Sequence, residues 1–182
     1  MVGAGSVVTS DVPPGTIVVG NPARVVSYDR SGTSNAAGTA PQSGEFQSKI
    51  PGVRWIPLTA IKDVRGQLVV AQWDRHLPFV PQRTFFVHGV PSRKVRGEHA
   101  HKVCEQILVA ITGSINVVVD NGKIREEYIL DDASRGFYVP PGIWATQYRY
   151  SSDAVMAVFA SHDYDESDYI RDYEAYLAYS SA

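Results

Sequence analysis

The sequence predicts an all-β fold, many short strands closed into a sandwich or small barrel, with one helix at the end. Three observations carry this. From about Val53 onward, Val, Ile, Tyr, Phe and Trp are dense and fall in short runs. Turn signals separate the runs, Thr112-Gly113 and Asn121-Gly122 among them, and Asn-Gly suits a hairpin because both residues tolerate positive φ. Helical periodicity is confined to the C-terminus, which disfavours a parallel sheet alternating with helices.

The elements follow in order. Strand composition marks 67–72, 84–90, 106–111, 114–119, 123–130, 136–139, 144–150 and 154–161. At the end, Asp165 is placed to cap a helix, and Tyr169, Ile170, Tyr173, Tyr176 and Leu177 form one apolar stripe. The acidic run 163–168 reads as the start of that helix, where negative charge suits the dipole.

Composition bounds the function. The chain has 182 residues, 44% hydrophobic and 20% charged, enough for one well-cored domain plus extras at the ends. A formal net charge of -2 with no Lys/Arg block leaves no footprint for nucleic acid or a membrane surface. No apolar run approaches the ~20 residues that cross a bilayer, and residues 1–10 lack the pattern of a signal peptide. One cysteine, Cys104, excludes an internal disulfide framework and a multi-cysteine zinc site; with apolar Val103 and Ile107 nearby it is read as inert. These features point to a soluble, cytoplasmic protein.

Three zones separate. Residues 1–26 are small and β-branched, punctuated by Gly and Pro; residues 27–52 are rich in Ser, Gly, Ala and Thr and read as a flexible linker; residues 53–182 carry the core. The string GAGSVVTSDVPPGTIVVGNPARVV resembles the final coil of hexapeptide-repeat acyltransferases, which fold as left-handed parallel β-helices. A solenoid coil buries its apolar face against neighbours, and about three repeats are needed for stability. Residues 1–26 are therefore expected to be a remnant of a longer two-domain enzyme, without acyl transfer of their own.

The most informative string is Arg96-Gly97-Glu98-His99-Ala100-His101-Lys102. On a strand, His99 and His101 share a face, an arrangement able to bind a metal or move protons. Together with the turn in GFYVPPGIWA (136–145), it resembles the paired motifs of the cupin superfamily, which implies a jelly-roll β barrel like that of RmlC. In metal-binding cupins a third His follows the Pro-Gly turn and a Glu precedes the glycine. Here Ala145 and Gln106 stand at those positions, and Glu105, one place off, is expected to face the other way. A catalytic transition metal usually takes at least three protein ligands, so no metal and no other cofactor is expected. Proton chemistry is the best use of the pair, since a His near its ordinary pKa of about 6.5 takes and returns a proton near neutrality.

IKDVRGQL (61–68), VRGEHAHKVCEQILVAITGS (95–114), GFYVPPGIWA and SSDAVMAVFASHDYDESDYIRDYEAYL (151–177) resemble more closely the WxcM-like cupins, the dTDP-4-keto-6-deoxyhexose 3,4-ketoisomerases. The resemblance spans about residues 55–179. It implies that a keto group moves between C4 and C3 through an enediol, in the making of a 3-amino-3,6-dideoxy sugar for cell-surface polysaccharide. By motif, His101 would take the C3 proton, His99 would assist the shuttle between the sugar oxygens, and Arg65 and Arg96 would hold the pyrophosphate. Gln106, Tyr138 and Trp144 are further expected substrate contacts, Trp144 by stacking on the base. Some members are fused behind a hexapeptide acetyltransferase, and members are dimers, so a homodimer is expected. Two departures bear on the stereochemical outcome: Phe85-Phe86 stands where many members have two tyrosines, and Ala145 where many carry a His. Tyr138 and Tyr148 are candidate substitutes for the missing phenols. A silent sugar-nucleotide-binding domain and a related epimerase are the alternatives.

Overall fold

The computed structural model describes residues 1–9, 12, 15–28, 48–73 and 75–181. Most of the expected linker, 29–47, lies outside the described residues.

Two five-stranded antiparallel sheets face each other. One has the order β10(Arg125–Leu130), β9(Ile115–Asp120), β12(Trp144–Tyr148), β7(Arg96–His101), β14(Tyr169–Ile170). The other runs β3(Arg54–Pro57), β11(Arg135–Val139), β8(Gln106–Thr112), β13(Val155–Ala160), β6(Arg83–His88). Alternate residues of each strand meet between the sheets: Leu108 and Ala110 of β8 pack with Val117 and Val119 of β9, Phe137 and Val139 of β11, and Met156 and Val158 of β13. This is the expected all-β barrel.

The outer faces are covered too. Ile107 and Val109, the other parity of β8, pack with Ile56, Leu58, Leu77 and Tyr138, beneath Val69, Ala71 and Phe79. Val69 belongs to a projecting hairpin of β4(Thr59–Asp63) and β5(Gly66–Val70). Over the first sheet, Ala100, Trp144 and Ile170 pack with Tyr176 of the helix α1(Tyr173–Ser180). Val118 and Tyr148 receive Val25, from the hairpin of β1(Thr16–Val19) and β2(Arg24–Tyr28). Double coverage explains why β9, Ile-Asn-Val-Val-Val-Asp, is buried at all six positions.

Several expected boundaries move. The chain enters the core at Ile50, fully buried, before β3 begins. Strand β12 ends at Tyr148 because Arg149 turns the backbone left-handed, with φ 51°. The hairpin after β9 takes four residues, its Asn121 side chain accepting from the Lys123 and Ile124 amides at 3.0 and 2.8 Å. The helix starts later than its expected cap at Asp165. That residue instead accepts from the Ser167 amide at 2.9 Å and caps a short 3-10 turn, Glu166–Asp168. The chain then extends as β14 to pair with β7, and α1 begins after Asp172, which accepts from Ala175 at 2.7 Å. Pairing with the β7 edge overrides helical propensity over Tyr169 and Ile170.

Candidate functional site

His99 and His101 lie on β7 with ring centroids 5.0 Å apart and line one cavity with Cys104, Gln106, Val139, Pro140, Ile143 and Ala145. Upstream, β7 carries a bulge: Ala145 of β12 pairs with His99 and Thr146 with Gly97, so Glu98 is extra. Gly97 has φ 78°, and a Cβ there would meet the Ala145 carbonyl oxygen at 2.6 Å, so glycine is required. The bulge shifts the strand's phase. Arg96, opposite Gln147, comes onto the same face as His99, opposite Ala145, although the two are three residues apart.

The two imidazoles are held differently. His101 is 6% exposed, and its Nδ1 lies 2.6 Å from Oδ2 of buried Asp168. Burial pushes Asp168 up, but hydrogen bonds from the Val103 amide and from His101 outweigh it and hold the carboxyl below its usual range. An ionised carboxylate only accepts, so Nδ1 of His101 carries the proton and Nε2 keeps its lone pair, which faces the Gln106 amide nitrogen at 3.1 Å. In His99, Nδ1 donates to the Gly97 carbonyl at 2.9 Å, again leaving Nε2 basic. Burial, partly offset by the Gly97 bond, lowers His99 to about 4. Burial also lowers His101, against the pull of Asp168. Both rings are neutral bases at neutral pH.

Tyr169 closes the group, its ring 4.9 Å from His99 and 4.3 Å from His101, with the Arg171 guanidinium 4.2 Å from the ring centroid. On sequence alone Asp168 and Tyr169 read as part of a helix start. They reach the site because β14 pairs Tyr169 with His101. The only sequence signal was the YDESDYIRDY string itself, which does not reveal what it pairs with.

The other expected site residues scatter. Gln106 faces the cavity and Glu105 the opposite side, as period-two alternation requires. Tyr138 does not: Val139 lines the cavity, so Tyr138 points outward, donating to Glu105 with Arg54 stacked 4.0 Å over its ring. Trp144 likewise faces out, 5.3 Å from the Tyr176 ring, while its neighbour Ala145 faces in. Tyr148 donates to Glu127 at 2.6 Å on the outer face. Tyr138 and Tyr148 therefore do not replace the missing phenols. Of the phenylalanine pair, Phe85 packs against the interior and Phe86 is 63% exposed on the outside. Arg65 lies on the β4–β5 turn, its side chain 86% exposed and paired with Asp63 at 2.5 Å. Cys104, read as inert, shares the cavity of the histidines.

The donor set does not match a cupin metal centre. Ala145 offers no ligand atom and Gln106 a neutral amide, leaving two imidazoles of the usual pattern.

Comparisons with known proteins agree with this fold. The chain is 42% identical over 119 residues to a TDP-4-oxo-6-deoxy-alpha-D-glucose-3,4-oxoisomerase of Aneurinibacillus thermoaerophilus, covering 65% of this chain and 86% of the relative. Its fold superposes with a TM-score of 0.71 on QdtA, a sugar 3,4-ketoisomerase of Thermoanaerobacterium thermosaccharolyticum solved with TDP, at 30% identity over 72% of this chain and 96% of that one. The RmlC epimerase of Mycobacterium tuberculosis shares the barrel at 18% identity, with a TM-score of 0.57 over 69% of this chain and 71% of that one. The FdtA family model, described as WxcM-like, C-terminal, matches residues 51–181, a span that holds the His pair, the Asp168 carboxylate and both sheets, and the chain belongs to that family.

Proposed function

We propose that this protein is a 3,4-ketoisomerase of a TDP-linked 4-keto-6-deoxyhexose, working through an enediol and without a metal. The observation that carries this is His101, whose Nδ1–H is pinned on Asp168 while Nε2 stays basic, 5.0 Å from a second neutral imidazole. The activities printed for the relatives support the substrate class.

The chemistry follows from the ketone. A hydrogen beside a carbonyl is acidified, so His101 Nε2 takes the C3 proton and the electron pair moves into a C3–C4 double bond. Asp168 stabilises the imidazolium that forms, as a charge-assisted partner. His99 relays the hydroxyl proton from O3 to O4, and His101 returns its proton at C4, leaving the ketone at C3. No electrons are gained or lost overall. Burial of both rings keeps them unprotonated and ready at neutral pH.

Arg96 serves the pyrophosphate. The bulge brings it to the face of the histidines, two ladder positions or about 7 Å along the sheet from His99. Arg65, exposed on its turn, is assigned the same task. Gln106 holds the sugar next to His101. A homodimer is supported by exposed apolar side chains on the barrel and hairpin, Phe86, Ile61 and Leu68. The product would enter biosynthesis of a 3-amino-3,6-dideoxy sugar in the cytoplasm, where nucleotide-linked sugars are made.

The test is incubation with dTDP-4-keto-6-deoxyglucose in deuterated buffer, following the sugar protons by NMR. A 3-keto product that vanishes in His101→Asn supports the proposal. A ketone that stays at C4 without exchange, although the nucleotide binds, refutes it.

A further inference from the structure

Cys104 has no task in this mechanism, yet it sits in the site. It is 2% exposed, and among the described residues its sulfur, a nitrogen of His101 and a carboxylate oxygen of Asp168 all lie within 4.8 Å of one another. All three residues are buried, and His101 and Cys104 line the same cavity. The Ser161 hydroxyl points at the sulfur from 3.9 Å, a donor suited to a thiolate. This triad differs from the expected cupin ligands, since it joins Cys104 and Asp168 to His101 and uses neither Gln106 nor Ala145.

We infer that His101, Cys104 and Asp168 form an inhibitory site for a soft divalent cation, Zn²⁺ or Cd²⁺. Thiolate, imidazole and carboxylate together suit such ions, whereas Mg²⁺ and Ca²⁺ want oxygen alone. Charge balances in this buried place: one thiolate and one carboxylate offset the dication, and the imidazole is neutral. Binding exchanges the Cys104 thiol proton for a metal–sulfur bond and releases that proton to solvent. A cation bound at Nδ1 displaces the proton now shared by His101 and Asp168 onto Nε2, so the imidazole stays neutral and only the thiol proton is released. A neutral imidazole has one lone pair, so His101 bound to a metal through either nitrogen has none left for a substrate proton. The inhibitory half of the inference rests on the ketoisomerase reading; the binding half does not.

The experiment uses the full chain, stripped with a chelator and kept reduced. Cd²⁺ is titrated without substrate while the thiolate-to-metal charge-transfer absorption is followed, and bound metal is counted after gel filtration. Cys104 is the only cysteine of the 182 residues, so any thiolate band reports this position. One equivalent with a thiolate band is expected, and Cys104→Ser or Cys104→Ala should bind at least about 100-fold more weakly, since even outer-shell changes cost about 10–100-fold. In turnover assays, Zn²⁺ should abolish activity, a chelator should restore it, and Cys104→Ser should stay active and resist Zn²⁺. No thiolate band in the unaltered protein, equal affinity in a folded Cys104 variant, or full turnover with metal bound at Cys104 overturns the inference. A band with one equivalent bound, in a protein that shows no isomerase activity at all, upholds the site and refutes only the ketoisomerase reading.

Discussion

Replacing Asp168 by Asn tests whether the carboxylate acts through His101. The carboxylate accepts from His101 Nδ1 at 2.6 Å and from the Val103 amide at 2.7 Å. Asn keeps the shape but has one acceptor oxygen. If that oxygen stays on Val103, the NH2 group faces Nδ1, which must then accept, and the proton moves to Nε2, where the base is needed. A hydrogen bond to a charged group contributes about 1.5–3 kcal/mol. At about 1.36 kcal/mol per decade, its loss from the transition state lowers kcat about 10- to 150-fold. The tautomer change adds to this, so the expected fall is on the order of 10²–10³, with KM changed less than about threefold because Asp168 does not touch substrate. Asp168 also raises His101 against burial, so its removal shifts the acid limb of the kcat profile to lower pH. The assay is C3 deuterium exchange and turnover across pH, with thermal melting to confirm the fold. A folded variant whose kcat lies within threefold of the parent refutes the dyad.

Two further outcomes follow. His99 is held at about 4 in the folded protein and titrates near 6.5 when unfolded, so the unfolded chain binds more protons between those values. Stability from this group is complete above about pH 6.5 and is lost as pH falls toward 4, by up to about 3 kcal/mol; denaturant unfolding should show the slope, and His99→Asn should flatten it. Tyr138→Phe removes an outward-facing bond to Glu105, so turnover should be unchanged while stability falls by about 1 kcal/mol; a large loss of kcat would return Tyr138 to the site.

Much of the architecture was legible from local pattern. The runs of Val, Ile and Tyr between Gly-containing turns announced the barrel strands, and the spacing of His99 and His101 put both on one face, because side-chain alternation is a local property of the backbone. The choice between Gln106 and Glu105 as the inward residue came from the same rule. That Tyr138 and Trp144 face outward has a reason visible in their strands. Phe137, Tyr138 and Val139 are all buried, as are all five residues of β12, because both sheets are covered on both faces. With every position apolar or enclosed, the period of two leaves no trace from which to say which face looks inward.

Arg96 and Asp168 depend on longer-range geometry. One extra residue at Glu98 turns Arg96 onto the histidine face, and a bulge is a feature of two paired strands, invisible in either alone. Asp168 stands 67 residues from His101, and its role exists only because β14 leaves the helical path to pair with the edge of β7. Local propensity and alternation act over a few residues and can be read along the chain, whereas pairing between distant strands is settled by the packing of the whole barrel, and it is that pairing which sets a carboxylate behind His101.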